Sequence, residues 1–441
     1  MNTTIERNHM VIQWHNYAKK FKNTPISEAN LEEKSILIGR VGLMLLSCGT
    51  AAWRVRRAMN MLAKALDVTC TMEIGFTTLN YTCFDDQQCF SQTLSLTNNG
   101  VNTNKLHALT QFVEQFSSRY LQANSVQIHE TLDAIDQMPG LYSPLQLGLA
   151  SAVACASFTF LLGGGPAEMF GALIGAGIGN DIRAHMQRRK LTQFLCIMVS
   201  VSIACLCYTL SLRCLEHVFD LSTQHEIGYI CSMLFIIPGF PFITSGFDFA
   251  KSDMHSGLER MSFFIMTVTV ACITGWIMAY FLGLEPGSFL PMTIAPQWKV
   301  MLWLVFSFGG VFGFSMMFNS PMRLCALAAI IGSLSNTLRL VLVNYADCPA
   351  ALGAFIGAMT AGLLAYALHN RYGYPRIAVT VPSIVIMVPG LYLYRGFYGL
   401  GTQSIDEAMS SLMTAVIILL CIPLGLIFAR ILTDPDFRHC T

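Results

Sequence analysis

Charge is scarce in this chain of 441 residues. Only 12% of them are Asp, Glu, Lys or Arg, against about a quarter in soluble domains. The formal net charge is +1, so no basic field is present to attract nucleic acid. Metal-binding spacing is also missing. The fifteen cysteines include no CxxC and no paired Cys/His arrangement. About half of them, including Cys155, Cys196, Cys205, Cys207, Cys272, Cys325 and Cys421, lie in apolar runs, where a thiol behaves as a small hydrophobe. No GxSxG, HExxH or phosphate-binding glycine loop occurs. These absences predict no metal, no cofactor, no nucleic-acid partner and no assembled catalytic centre. The first 35 residues lack the apolar core of a signal peptide, so the N-terminal part is expected to stay in the cytoplasm.

What the chain has instead is apolar length. Hydrophobic residues make up 54% of it. After Ser143, about ten apolar segments follow one another: 145–162, 166–182, 193–212, 227–247, 261–284, 300–318, 322–343, 349–368, 377–397 and 408–431. Each approaches the roughly 20 residues that a membrane-spanning helix needs. The segment 322–343 carries Asn336 and Arg339, which makes it the least regular. Arg183, Arg188, Arg189, Lys190, Lys251, Arg260, Arg323, Arg371, Arg376, Arg430 and Arg438 fall on the side shared with the N-terminus. The other side holds few bases (Arg213, Lys299, Arg395) and more acid. Positive residues favour the inner face, so ten spans with both termini in the cytoplasm of a cell inner (plasma) membrane are expected.

Two of these segments are interrupted in the same way. Ile236-Ile237-Pro238-Gly239-Phe240-Pro241 lies in the fourth, and Met387-Val388-Pro389-Gly390-Leu391 in the ninth. Proline removes a backbone donor and clashes with the preceding turn. A broken helix persists in lipid only where its freed polar groups meet protein, water or ligand. Other features pair with shrinking offsets: Pro166 with Pro321, Pro238 with Pro389, Met261 with Met409. An odd number of spans per repeat makes the second half enter from the opposite side, as in the inverted repeats of secondary transporters. The predicted fold is therefore a mainly α membrane protein. It has about ten transmembrane helices as two inverted five-helix repeats, 144–285 and 298–431, and a small cytoplasmic α+β domain, 31–143. Residues 1–30 are expected to be disordered.

In the cytoplasmic domain, helical spacing runs from Leu31 to Leu66, with a break expected at Gly49. Val68–Tyr81 and Phe90–Leu96 read as strands, Asn98-Asn99-Gly100 as a turn, and Asn104–Leu121 and Val126–Asp136 as helices. Polar residues within spans are costly and tend to face the bundle interior. They make the candidate substrate set: Pro238, Gly239, Pro389 and Gly390 at the breaks, with Asn180, Asn336, Arg183, Arg339, Arg395, Thr244 and Ser245. Glu168, Asp181 and Asp248 are candidates for ion coupling. Each has a plainer reading. Arg183 and Arg395 suit snorkelling to headgroups, the two asparagines suit interhelical hydrogen bonds, and Asp248 suits a solvated loop. Gly171, Gly175 and Gly179 read as packing positions.

Several motifs together resemble a known family. They are Pro238-Gly239-Phe240-Pro241 followed by Asp248, then Ser256-Gly257-Leu258-Glu259-Arg260. The second half adds Phe318-Asn319-Ser320-Pro321-Met322-Arg323, Gly332-Ser333-Leu334-Ser335-Asn336 and Val388-Pro389-Gly390. The chain resembles the threonine/serine exporter (ThrE) family in its fused form, with 31–285 as the first domain and 298–431 as the smaller partner. The resemblance implies proton-driven efflux of small hydroxy amino acids; two-chain relatives are associated with succinate export. Where the family usually reads Arg-Val-Glu, this chain has Arg54-Val55-Arg56. The expected partners are a small-molecule substrate and membrane lipid, with homo-oligomerisation left open. Export of a dicarboxylate is one alternative. A membrane-anchored sensor or enzyme, whose soluble part does the work, is another.

Overall fold

The computed structural model describes residues 12–15, 24–96, 99–219, 225, 227–289, 292 and 294–439. The chain divides into two compact units. One holds the residues up to Pro139 together with Thr244–Arg260. The other holds Gly140–Ile243 and Met261–His439. The stretch Thr244–Arg260, read from sequence as membrane domain, thus groups with the N-terminal residues.

The first unit is α+β. Helix α1 (Leu31–Ser47) starts at Asn30, whose side chain accepts the Glu33 N–H. Helix α2 (Ala52–Ala65) follows. Between them Gly49 sits at φ +81, a left-handed conformation that glycine adopts without a Cβ penalty. The expected break therefore falls where the spacing placed it. Ahead of α1, Ile26–Glu28 forms a 3-10 turn with Ile26 fully buried, inside the stretch expected to be disordered.

The run Val68–Tyr81, read as one strand, is two. Strands β1 (Thr69–Ile74), β2 (Thr78–Phe84) and β3 (Cys89–Ser95) form an antiparallel sheet in that order. The β1–β2 turn at Phe76-Thr77 closes with the Gly75 N–H on the Thr78 carbonyl, 2.8 Å. The Glu259 carboxylate accepts the Phe76 N–H at 2.5 Å. That acceptor is 183 residues away in sequence, which is why local pattern did not reveal the turn. Leu79, Tyr81, Cys83 and Leu94 are buried on the inner face, while Thr71, Glu73, Ser91 and Thr93 are exposed, the alternation of a sheet covered on one side.

Helix α3 (Thr103–Gln115) and a π turn (Phe116–Tyr120) take up the predicted Asn104–Leu121. Helix α4 (Ser125–Asp136) matches the last prediction. Of the turn signal Asn98-Asn99-Gly100, Asn98 lies outside the described residues. Arg40 of α1 is buried against α4. Its Nη1 reaches His129 Nδ1 at 2.8 Å and donates to the His129 carbonyl at 3.2 Å, and its Nη2 bonds Asp133. His15 Nε2 meets the other Asp133 oxygen at 2.5 Å.

This cluster sets a pH dependence. Burial, then the Arg40 charge, lowers His129 from 6.5 to about 4. Burial opposes ionisation of Asp133, but hydrogen bonds from His15 and Arg40 outweigh it and hold that carboxyl low. Between pH 6.5 and about 4 the unfolded chain takes up the His129 proton and the folded chain does not. Stability is therefore full above the upper value and falls as pH drops through the window, by about 3 kcal/mol for a shift of this size. Unfolding of the full-length protein, followed against pH, should show that loss. His129→Asn, which keeps an acceptor toward Arg40, should remove it.

The second unit is all α. Helices α5 (Pro144–Leu161), α6 (Pro166–Arg188) and α7 (Gln193–Phe219) lead to a bent pair, α8 (Gly228–Ser232, extended by a 3-10 turn to Ile236) and α9 (Gly239–Ala250). Helix α10 (Met254–Leu282) follows; α9 and α10 each run from one unit into the other. The order then recurs: α11 (Pro296–Met317), α12 (Met322–Tyr345), α13 (Ala350–Tyr372), a bent pair α14 (Arg376–Val385) and α15 (Gly390–Gly401), and α16 (Ile405–Thr433). Among the described residues, seven helices are long and apolar enough to cross a membrane, or nine if each bent pair is one span. Helix α6 is not among them; it carries Glu168, Asp181, Arg183 and Arg188. Leu145, Leu149, Leu210, Tyr280, Phe281, Leu420, Leu424 and Phe428 are exposed, an apolar exterior suited to lipid. Inside, small residues set the packing. A Cβ on Gly171, Gly175 or Gly179 would meet Tyr208, the Ala204 carbonyl or the Ser200 carbonyl of α7 at 2.6 to 2.9 Å.

Candidate functional site

The two Pro-Gly interruptions are bent by 61° and 52°. Each is built on the same tight turn: Gly239 N–H donates to the Ile237 carbonyl at 2.9 Å, and Gly390 N–H to the Val388 carbonyl at 2.8 Å. Pro389 has φ −80 and ψ 54, an inverse γ-turn. Proline supplies the fixed φ at the centre, and the flanking β-branched residues end the preceding helical turn. These glycine N–H groups are engaged within the turns, so they are not open to a ligand.

The breaks touch. A Cβ on Gly239 would lie 2.8 Å from Val385 Cγ2, and one on Gly390 would lie 2.6 Å from Ile237 Cδ1 and 2.7 Å from Leu234 Cδ2. Tyr229 of α8 donates its hydroxyl to that of Tyr394 of α15 at 2.8 Å, with the rings edge to face at 5.6 Å. Both rings are fully buried. A Cβ on Gly275 of α10 would meet Met233 Sδ at 2.8 Å and Tyr394 Cε2 at 2.9 Å, so α10 closes on the same junction.

Tyr229→Phe should expose the cost of this pair. It removes the donor to Tyr394, whose buried hydroxyl then lacks that partner, a penalty of about 1–3 kcal/mol. Adding Tyr394→Phe removes the orphaned group. The double variant should melt above the Tyr229→Phe variant; additive losses would show that the two hydroxyls do not act as a pair.

Two arginines flank the breaks. Arg183 of α6 points Nη1 at the Phe235 carbonyl, 3.4 Å away, on the first broken segment. Arg339 of α12 shares a glycine with the second break: a Cβ on Gly357 would lie 3.2 Å from both Arg339 Cβ and Met387 Sδ. Arg339 Nη1 also donates to Asn336 Oδ1 at 3.2 Å. Neither arginine meets a carboxylate among the described residues, and the Nε of each has no hydrogen-bond partner there. An intramembrane cation without its own acid is a natural seat for an anionic group of a ligand.

The other candidates have their own partners. Asn180 Nδ2 donates to the Leu147 carbonyl of α5 at 2.9 Å, and Asn336 Nδ2 to Ser307 Oγ of α11 at 2.8 Å. Each asparagine thus ties its helix to the one before. Arg395 donates to the Gly287 carbonyl at 2.6 Å in a loop. Glu168 caps α6, accepting the Gly165 N–H at 2.9 Å, and meets His225 Nδ1 at 2.9 Å. Asp181 meets His185 one helical turn on at 3.4 Å.

Asp248, Thr244 and Ser245 fall in the first unit, and all three are fully buried. Asp248 Oδ1 accepts the Ala52 N–H at 2.8 Å, capping α2, whose own cap residue Ala51 has no acceptor side chain. Asp248 Oδ2 lies 3.0 Å from both Ser256 Oγ and Arg260 Nε. Arg260 Nη1 donates to Thr244 Oγ1 at 3.3 Å. Asp248 is therefore a buried junction rather than a solvated loop acid. Arg56, at the position where the sequence resemblance implied an acid, pairs with Asp253 through both carboxylate oxygens at 2.5 and 2.6 Å. Tyr229, Tyr394 and the Arg56–Asp253 pair were not singled out from sequence. Each joins residues more than 160 positions apart, and no local spacing reports such a contact.

The matched breaks and the apolar helices around them agree with what sequence comparison finds. Residues 36–283 match the family described as "Putative threonine/serine exporter", and residues 303–432 match "Threonine/Serine exporter, ThrE". The chain belongs to the threonine/serine exporter family. The two ThrE matches follow one another along it, as in a fused two-domain member, and with its apolar helices they make it a multi-pass membrane protein. A curated relative from Haemophilus influenzae, named "Uncharacterized protein", is 25% identical over 173 residues. The match covers 34% of this chain and 56% of that relative, so the chain spans about half of its length. No solved structure matches the chain.

Proposed function

We propose that this ThrE-family chain is a secondary active exporter of small hydroxy amino acids, threonine and serine, coupled to the proton gradient. It lies in the cell inner (plasma) membrane as ten spans, counting α6 and each bent pair once, with both termini in the cytoplasm. The two sets of five elements are related as inverted repeats. The substrate passes unchanged, and the cytoplasmic domain is structural or regulatory. One observation carries this reading: the two Pro-Gly breaks pack directly on each other, and beside each stands an arginine that meets no acid among the described residues. A substrate carboxylate suits such an arginine. Asp248, Glu168 and Asp181 are the acids available for coupling.

The same pair of arginines favours one second reading. Two unpaired cations match the two carboxylates of a dicarboxylate such as succinate. A substrate panel in proteoliposomes, with a pH gradient imposed in either direction, separates the two. Gradient-dependent flux of unmodified threonine or serine supports the first reading, and flux of succinate alone supports the second. Flux that ignores the pH gradient removes proton coupling. Absence of flux for the whole panel, from protein with native hydrogen-exchange protection, overturns the exporter reading.

A further inference from the structure

The sheet of the first unit contains a pair of thiols that transport does not use. Cys70 in β1 and Cys83 in β2 are register partners. The turn closes with the hydrogen-bonded pair Gly75·Thr78. Bonded and non-bonded pairs alternate along an antiparallel ladder. Counting five steps back, Cys70·Cys83 is a non-bonded pair, the kind that brings side chains closest. The two sulfurs are 3.2 Å apart. Cys83 is fully buried and Cys70 is half-exposed, so a small reagent reaches the pair from one side. Among the described residues no other two thiols make such a contact. Tyr81, two residues along β2, has its hydroxyl tied to the Ser35 carbonyl at 2.9 Å and to Gln92 at 2.8 Å, which holds this face of the strand in place.

We propose that Cys70 and Cys83 form a redox-active dithiol that closes to a cross-strand disulfide, with a peroxide as oxidant. A hydrogen bond between the sulfurs favours loss of one proton from the pair, and the thiolate is the reactive form. That sulfur attacks a peroxide oxygen. The O–O bond breaks, hydroxide leaves, and a sulfenic acid remains. The second thiol then attacks this sulfur. The S–S bond forms as the S–O bond breaks, and the departing hydroxide carries off its proton as water. Two thiols lose two electrons, and peroxide is reduced to two waters. The disulfide joins β1 to β2 across the turn that Glu259 holds, so oxidation stiffens this part of the unit.

The test uses the full-length protein in membranes, titrated with hydrogen peroxide, alkylated and read by peptide mass spectrometry. The expected product is a Cys70–Cys83 linked peptide that dithiothreitol reverses, while buried Cys48 is still recovered as the free thiol. Cys70→Ser should slow oxidation of Cys83 by roughly tenfold, since its thiol partner is gone. If that variant fails to fold, the wild-type peptide decides alone. Recovery of both thiols as free after exposed Cys89 has been oxidised would overturn the proposal. So would conversion of Cys70 to sulfinic acid with no linked peptide.

Discussion

Leucine at Gly239 or Gly390 is expected to reduce transport to background while the protein remains in the membrane. Neither glycine borders an open space. A side chain on Gly239 enters the volume of Val385, and one on Gly390 enters that of Ile237 and Leu234. Forcing extra carbons into a packed contact costs about 1–3 kcal/mol, and here the cost falls on the seam between the two broken helices. The fitting control is Gly287→Leu, where a new Cβ meets nothing within 4 Å. Gly283 has equal space but a φ of +66, so any side chain there adds backbone strain and confuses the comparison. The double variant Gly239→Leu with Gly390→Leu should be no worse than either single one, because both open the same seam. Transport near the parental rate in both single variants, at normal expression, would reduce the breaks to ordinary kinks.

The second large effect is expected at Asp248. Asp248→Ala leaves Arg260, fully buried itself, without its carboxylate. It also leaves the Ala52 N–H at the start of α2 without an acceptor. Breaking a buried ion pair by removing one partner costs about 3–5 kcal/mol, and losing a helix cap about 1 kcal/mol. The two terms share one side chain and do not simply add, but even the smaller total is a large part of a normal folding stability. The full-length protein should melt at lower temperature, and hydrogen exchange at the start of α2 should accelerate. Asp248→Asn keeps an oxygen for Ala52 while leaving Arg260 charged and unpaired. It should protect the α2 amides better than alanine does and recover little of the melting temperature. Unchanged exchange at Ala52 and its neighbours in Asp248→Ala would show that the cap is not formed in the membrane.

Much of this was legible because it depends on local chemistry. The apolar runs announce helices. Gly49 marks the end of α1, since its left-handed backbone disfavours any residue with a Cβ. The prolines at 238 and 389 mark the breaks, since neither can continue a helical ladder. The Gly171, Gly175 and Gly179 stripe was read correctly as packing against a neighbouring helix. What was misjudged depends on partners remote in sequence. Val68–Tyr81 looked like one strand because the acceptor that stabilises its turn, Glu259, sits on another helix. Asp248 read more readily as a solvated loop acid than as a coupling site, because Ala52 and Arg260 are what make it a buried junction. The two asparagines were read as substrate candidates, and only the fold shows that each spends an amide hydrogen on a remote partner, the Leu147 carbonyl or Ser307.

The division has a physical basis. Sequence by itself determined composition, the periodicity of each element, the places where the backbone leaves a helix, and membership of the threonine/serine exporter family. Each of these rests on the properties of a residue and its near neighbours. Tertiary structure alone decided which freed groups are already engaged and which charges have partners. It made Gly239 and Gly390 contact points between the two breaks and joined Tyr229 to Tyr394. Among the described residues it gave Arg183 and Arg339 no acid, and it grouped Thr244–Arg260 with the N-terminal unit. Hydrogen bonds and ion pairs are short-ranged in space and indifferent to distance along the chain, so only the folded arrangement states who meets whom.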